Sequence, residues 1–189
     1  MDWFERLRRM AYPQWQHFPR HVHHPGWVDE ILAIVGSAQG VISTENEKNG
    51  PKSDVVLSVL RPDLVEMGFQ VETGKGQAAT ITRPVLFGEN GKIERYYDID
   101  AFREEDGIAL EVEAGRAAYN NADYRDIVRT SLLLDANFLV LLVPITYRSK
   151  SGSKTVCDQT YSHVRSNLDA IYASPRLKLP FEGVLLVGY

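Results

Sequence analysis

Four carboxylates stand two by two on neighbouring stretches of this chain. The first stretch reads Tyr97-Asp98-Ile99-Asp100-Ala101-Phe102 and the second Ile108-Ala109-Leu110-Glu111-Val112-Glu113, with the acidic turn Glu104-Glu105-Asp106-Gly107 following Arg103. Side chains alternate faces along a strand, so Glu111 and Glu113 share a face opposite Leu110 and Val112, and Asp98 and Asp100 share a face opposite Ile99. Pairing the two stretches as a hairpin leaves two registers. A loop over 104–107 sets Arg103 opposite Ile108, Asp100 opposite Glu111 and Asp98 opposite Glu113. A tight turn at Asp106-Gly107 sets Asp100 opposite Glu113 and Asp98 opposite Gly115. Asp100 faces a glutamate in both registers, Asp98 in only one.

Like charges directly opposite on paired strands destabilise a sheet, on the roughly 0.2–1 kcal/mol scale of cross-strand pairs. Three or four carboxylates on one face therefore call for a cation, and hard oxygen donors suit Mg²⁺ or Mn²⁺. The competing reading is a solvated acidic hairpin edge, and the flanking elements weigh against it.

Those elements follow from periodicity. Val28, Ile31, Leu32 and Val35 predict a helix over 27–37. Ser53 reads as the N-cap of a helix running to Met67 and stopped at Gly68, with Pro62 as a point of kinking. Residues 69–72 read as a short strand. Two longer strands, 81–87 and 93–102, flank an Asn90-Gly91 hairpin signal. The acidic strand 108–113 follows. A helix over about 123–134 buries Ile127, Leu132 and Leu133. The apolar run 137–144 predicts a strand covered on both faces. Residues 147–155 read as a polar loop, 162–173 as an amphipathic helix and 181–187 as a last strand. Residues 1–26 read as a short helix and an irregular arm. This order predicts an α/β (α+β) fold: a mixed central β-sheet with a three-strand antiparallel meander, flanked by helices.

Composition bounds the function. The chain has 189 residues, 44% hydrophobic and 24% charged, enough for one good core. One domain over 1–189 is expected, with 1–52 as an elaboration of its core. The longest apolar run is too short to span a bilayer, and the first residues lack the basic-then-apolar order of a signal peptide. The single cysteine, Cys157, excludes an internal disulfide and reads as a structural or surface thiol in a cytoplasmic protein. A net charge of −4 excludes a protein that coats nucleic acid non-specifically, but not a nuclease with acidic metal ligands and local basic patches. Arg6, Arg8, Arg9 and Arg20 form one such patch, and Arg148, Lys150 and Lys154 another; each is as readily solvated surface charge.

The element order with its acidic pair resembles the PD-(D/E)XK nuclease superfamily, which includes many type II restriction endonucleases. The resemblance covers roughly 53–145 and rests on Asp100 at the end of one strand, Glu111-Val112-Glu113 on the next, and the buried strand 138–144. It implies a restriction endonuclease-like core and a metal-dependent endonuclease hydrolysing DNA. Asp100 and Glu111 would bind Mg²⁺ (or Mn²⁺), with the Val112 carbonyl as a further ligand. Glu113 stands where the family usually has lysine. A Glu-x-Glu variant exists in one group of restriction enzymes, and Glu113 would there act as base or second metal ligand. Asp98, Asp54 and Arg125 are weaker site candidates, with Glu47 behind Asp54; an Asp at a helix start is equally explained by the macrodipole. A double-strand cutter of this size implies a homodimer on DNA. The missing lysine keeps open a catalytically silent relative that binds nucleic acid or protein. A paired-carboxylate glycoside hydrolase lacks any aromatic sugar platform near these strands.

Two further groups complete the reading. His17, His21, His23 and His24 read as a surface cluster, with a transition-metal site as the alternative. Tyr119, Asn121, Tyr124 and Arg125, just after the acidic strand, are placed to touch a phosphate, or Arg125 simply pairs with Asp123 or Asp126. Arg83, Lys92 and Arg95 are read as counterbalancing the acidic strand.

Overall fold

The computed structural model describes residues 12–45, 50–74, 76, 79–114, 121–151 and 154–189. The expected roles of Arg6, Arg8, Arg9, Glu47 and Tyr119 lie outside them, as do the side chains of Lys150 and Lys154.

The strands are β1 (Gln14–Phe18), β2 (Gln70–Val71), β3 (Ile81–Phe87), β4 (Ile93–Ile99), β5 (Ala101–Arg103), β6 (Ile108–Val112), β7 (Phe138–Val143), β8 (Tyr147–Ser151), β9 (Lys154–Asp158) and β10 (Gly183–Gly188). The helices are α1 (Trp27–Ser37), α2 (Gln39–Ile42), α3 (Ser53–Glu66), α4 (Ala122–Thr130) and α5 (Thr160–Ala173). Six strands form one mixed sheet in the order β1-β10-β7-β6-β5-β2. Its centre, β10-β7-β6, is parallel, and both margins are antiparallel.

Apolar side chains cover both faces of this sheet. Val28, Ile31, Leu60 and Leu64 of α1 and α3 pack with Leu110, Val140 and Leu142 on one side. Ile127, Val164 and Leu168 of α4 and α5 pack with Ala109, Leu139 and Leu141 on the other. Hence β7 is an unbroken apolar run, as expected for a strand buried on both faces. Each fully buried Leu or Val contributes about 1.5–3 kcal/mol, so β6, lying between β7 and β5, is a rigid base for its glutamate.

Several expectations are corrected. The chain before α1 is not an irregular arm throughout: β1 pairs antiparallel with β10 and forms one edge strand of the sheet. His17 on β1 is buried, unlike the exposed His21 and His23, so the histidines are not one surface cluster. Ser53 is the first helical residue, with Lys52 at the cap position and no side-chain cap bond. Pro62 leaves α3 unbroken; the carbonyl it cannot pair belongs to Ser58, which is exposed to water. Within the stretch 147–155 expected as a loop, the described residues form β8 and the start of β9, which pair antiparallel, consistent with the β-formers Tyr147, Thr155 and Val156. The α4 helix ends at Thr130, and Leu132 is exposed rather than buried.

The meander also differs in detail. The antiparallel trio within the sheet is β2-β5-β6, while β3 and β4 pair only with each other in a separate ribbon. The long strand expected over 93–102 bends at Asp100, where the chain passes from β4 of the ribbon to β5 of the sheet. Ile99 packs with Phe102 in one core cluster and Ala101 in the other, so regular alternation does not pass through the bend.

Candidate active site

The turn after β5 decides how the carboxylates meet. Gly107 has φ +67°, and a Cβ there would run into the Asp135 carbonyl. Its own carbonyl accepts from the amides of Asn137 and Phe138 at 2.8 and 3.0 Å. The turn therefore uses all of 104–107, and the observed pairs are Arg103 with Ile108, Phe102 with Ala109 and Ala101 with Leu110. This is the first of the two registers, and it brings Asp100 to Glu111.

Pairing with β5 stops at Leu110, which leaves the next inward amide of β6 without a backbone partner. Asp100 supplies one: Val112 N–H donates to its Oδ2 at 2.7 Å. Glu111 is 9% exposed, between this strand and α4. Glu113 follows directly after β6, its amide donating to the Leu142 carbonyl and its carbonyl accepting from the buried Tyr189 hydroxyl. Its backbone is thus tied to the sheet while its side chain reaches α4, where Arg125 Nη2 donates to Glu113 Oε1 at 2.6 Å. The same guanidinium donates through Nε to Asp126 Oδ1 at 3.0 Å.

These groups line a cleft of about 300 Å³. Asp98, Val112, Glu72, Asp126 and Arg129 also line it. Asp98 is exposed at the rim, and its carbonyl accepts from Arg129 at 2.9 Å. Asp54 is exposed and lies in an adjoining cavity with Glu72 and Arg61, while its neighbour Ser53 reaches the main cleft. Tyr124 points away on the outer side of α4, and Asn121 sits at its start with φ 51°.

Burial and crowding hold protons on these acids. Burial, then Glu72, Asp126 and Asp54, push Asp100 from 3.8 up to about 6, against the lowering effect of the Val112 amide. Burial, with Asp100 and Asp126, raises Glu111 well above the usual carboxylate range, and Arg129 opposes. Burial and the Asp126 carboxylate push Glu113 up to about 7, and Arg125 opposes. Carboxylates that resist ionisation beside one another are a site that gains from a divalent cation.

The donor set fits Mg²⁺ or Mn²⁺ in an open site. Among the described residues, no three His, Cys, Asp or Glu side chains form a ready-made cage. Mg²⁺ does not need one: it keeps several waters and is held through one or two carboxylates and a phosphate.

Sequence reading overlooked Asp126 as a site residue, and missed Glu72 and Arg129. Part of the signal for Asp126 was available, because Asp123, Asp126 and Thr130 recur at helical spacing; the structure adds that all three are buried. Arg83 does not balance the acidic strand: it pairs with Asp135 and Glu104 and lies over the Phe102 ring. Arg20 pairs with Asp169, and Arg148 donates to the Thr44 carbonyl.

No family model matches the chain, and no curated protein matches it. Among solved structures it is similar to that of the restriction endonuclease BglII complexed with a DNA 16-mer. The TM-score is 0.55 at 12% identity, over 94% of this chain and 76% of that chain. The chain has a restriction endonuclease-like fold: a mixed sheet flanked by helices. Among the described residues, no helix is long and apolar enough to cross a membrane.

Proposed function

We propose that this chain is a divalent-metal-dependent endonuclease that hydrolyses phosphodiester bonds in DNA and acts as a homodimer. One observation carries the reading: the register that pairs Ala101 with Leu110 gathers Asp100, Glu111 and Glu113 in one buried, polar cleft. The likeness of fold to an endonuclease crystallised on DNA supports it.

In this reading Asp100 and Glu111, with the Val112 carbonyl, hold Mg²⁺ (or Mn²⁺). A cation there lowers the pKa of a water and neutralises charge on the phosphoryl oxygens when bound. Glu113 accepts the proton of the attacking water or serves as a second ligand; a carboxylate raised to about 7 suits a general base near neutrality. Arg125, half exposed and holding Glu113, orients that carboxylate and offers its remaining N–H groups to the phosphate.

The Arg125 clamp also fits the silent-module reading, in which the guanidinium replaces a cation and the cleft never turns over. The test is incubation of the protein with plasmid and genomic DNA, and with RNA, in Mg²⁺, Mn²⁺ or chelator, beside Glu111→Ala. Metal-dependent cutting of DNA that falls to background in the variant supports the proposal. Binding of DNA without cutting in either metal supports the silent module. Cutting of RNA alone overturns the DNA assignment.

A further inference from the structure

Two arginines line the cleft, and their surroundings differ. They share it with six acidic residues, among them Asp98, Glu111, Glu113 and Asp126. Arg125 is already neutralised, since Glu113 and Asp126 both pair with it, at 2.6 and 3.0 Å. Arg129 stands one turn further along α4 and is half-buried. Among the described residues, no carboxylate comes within 4.0 Å of its guanidinium. Its partners are neutral: Nη2 donates to the Asp98 carbonyl at 2.9 Å, and Cζ lies 5.3 Å from the centre of the Tyr97 ring.

This mounting fixes the guanidinium without cancelling its charge. A carbonyl and an aromatic face both attract a cation, and neither neutralises it as a carboxylate does. Tyr97 is itself anchored, because it pairs with Arg83 across the ribbon and packs on the core beneath α4 and α5. The other N–H groups of Arg129 have no partner among the described residues and stand at the cleft. Its charge is felt inside, where it opposes the rise that burial and neighbouring acids impose on Glu111. A basic residue in the last turn of a helix also suits the macrodipole. That explains a cation at this position, but not a guanidinium laid on a ring, bonded to β4 and lining the cleft.

We propose that Arg129 is a phosphate-contacting residue: its guanidinium, held by the Tyr97 ring and the Asp98 carbonyl, binds a non-bridging oxygen of a phosphodiester drawn into the cleft. An anion entering among so many acids needs positive charge to meet it, and the charge of Arg125 is committed. The planar fork of a guanidinium matches the oxygens of a phosphate. A donor already oriented costs no reorganisation as charge builds on the phosphoryl group. Tyr97 is then a positioning residue. The proposal rests on the nuclease reading for making this phosphate the scissile one, but not for the anion site itself.

The test uses the full chain as wild type, Arg129→Ala and Arg129→Lys, each checked for folding by circular dichroism. Binding to a fluorescent mixed-sequence DNA duplex is measured in chelator across a range of salt. Each phosphate contact adds about 0.9 to the slope of log affinity against log salt. Arg129→Ala is expected to lower the slope by about that amount, and Arg129→Lys, which keeps the charge, to retain it. Mn²⁺ affinity, followed by electron paramagnetic resonance, is expected to be equal or tighter in Arg129→Ala, because a cation beside Glu111 has been removed. Plasmid cutting in Mg²⁺ by Arg129→Ala is expected to slow about 100-fold, the scale for one preorganised donor. Arg176→Ala, exposed elsewhere, is expected to cut as wild type does.

An unchanged salt slope in Arg129→Ala overturns the proposal. Loss of Mn²⁺ affinity together with DNA affinity also overturns it, since that marks a structural role. A wild type that binds DNA but cuts with neither metal, beside a lowered slope in Arg129→Ala, ends the nuclease reading and keeps the anion site. A wild type that cuts, beside an Arg129→Ala variant with the same rate and slope, does the reverse. A wild type that binds no DNA overturns both.

Discussion

Replacing Asp100 by Asn should make the metal-free protein more stable, and increasingly so as pH rises. Asp100 is pushed from 3.8 to about 6 chiefly by burial, and its neighbours Glu72, Asp126 and Asp54 add to the shift. Between those values the folded chain holds a proton that the unfolded chain has lost. Stability therefore falls as pH rises through this window, and the full cost is reached above about 6. A rise of that size is worth about 3 kcal/mol. Asparagine keeps an oxygen for the Val112 amide, which the carboxylate accepts at 2.7 Å, and removes the charge. In chelator, Asp100→Asn should match the wild type near pH 4 and exceed it by about 2–3 kcal/mol at pH 8. For a chain of this size that is a rise in Tm of roughly 5–10 °C. Millimolar Mg²⁺ should then stabilise the wild type alone and narrow the gap, because only the native carboxylate set binds it. Thermal melts followed by circular dichroism from pH 4 to 8, with chelator and with Mg²⁺, measure all of this. A variant less stable than wild type at pH 8, or a difference that does not change with pH, refutes the reasoning.

Three other outcomes are expected. Asp126→Asn removes the carboxylate that, after burial, raises Glu113 to about 7, so the acid limb of a pH–rate profile should move to lower pH, and an unmoved limb would separate Glu113 from that limb. Arg125→Ala should cost about 1–3 kcal/mol of stability, since the half-exposed guanidinium pairs with Glu113 and with the buried Asp126, which the variant leaves without its partner; the same variant should lose cutting out of proportion to that cost, measured by urea melts and cleavage rates side by side. Gly107→Ala should destabilise by about 1–3 kcal/mol in urea melts, because φ +67° and the Asp135 carbonyl both exclude a Cβ.

The acidic pair was legible in the sequence because strand alternation puts Glu111 and Glu113 on one face whatever else happens. The register was not, since a two-residue and a four-residue turn both satisfied the local residues. It is set by tertiary contacts of Gly107 with Asn137 and Phe138, thirty residues away. The sheet's centre was legible for the same reason as β7, whose run of apolar residues fits only a strand covered on both faces. The β3-β4 ribbon was read as sheet because pairing patterns do not say where a hairpin leaves a sheet; the bend at Asp100 does. The α4 segment was read in part: Ile127 and Leu133 are buried as their spacing suggested, but the helix ends at Thr130, exposes Leu132 and buries Asp123 and Asp126 as well. The β1 strand went unread because Gln14 to Phe18 lies between prolines, and its pairing comes from β10 at the far end of the chain.

A Mn²⁺ titration followed by electron paramagnetic resonance, on wild type, Asp100→Asn and Glu111→Gln at pH 8, tests the central claim without any knowledge of the DNA sequence recognised. The account predicts saturable binding in the wild type that both variants lose, with Mg²⁺ competing for the same site. Equal binding by all three proteins, or none by the wild type at millimolar metal, would contradict it.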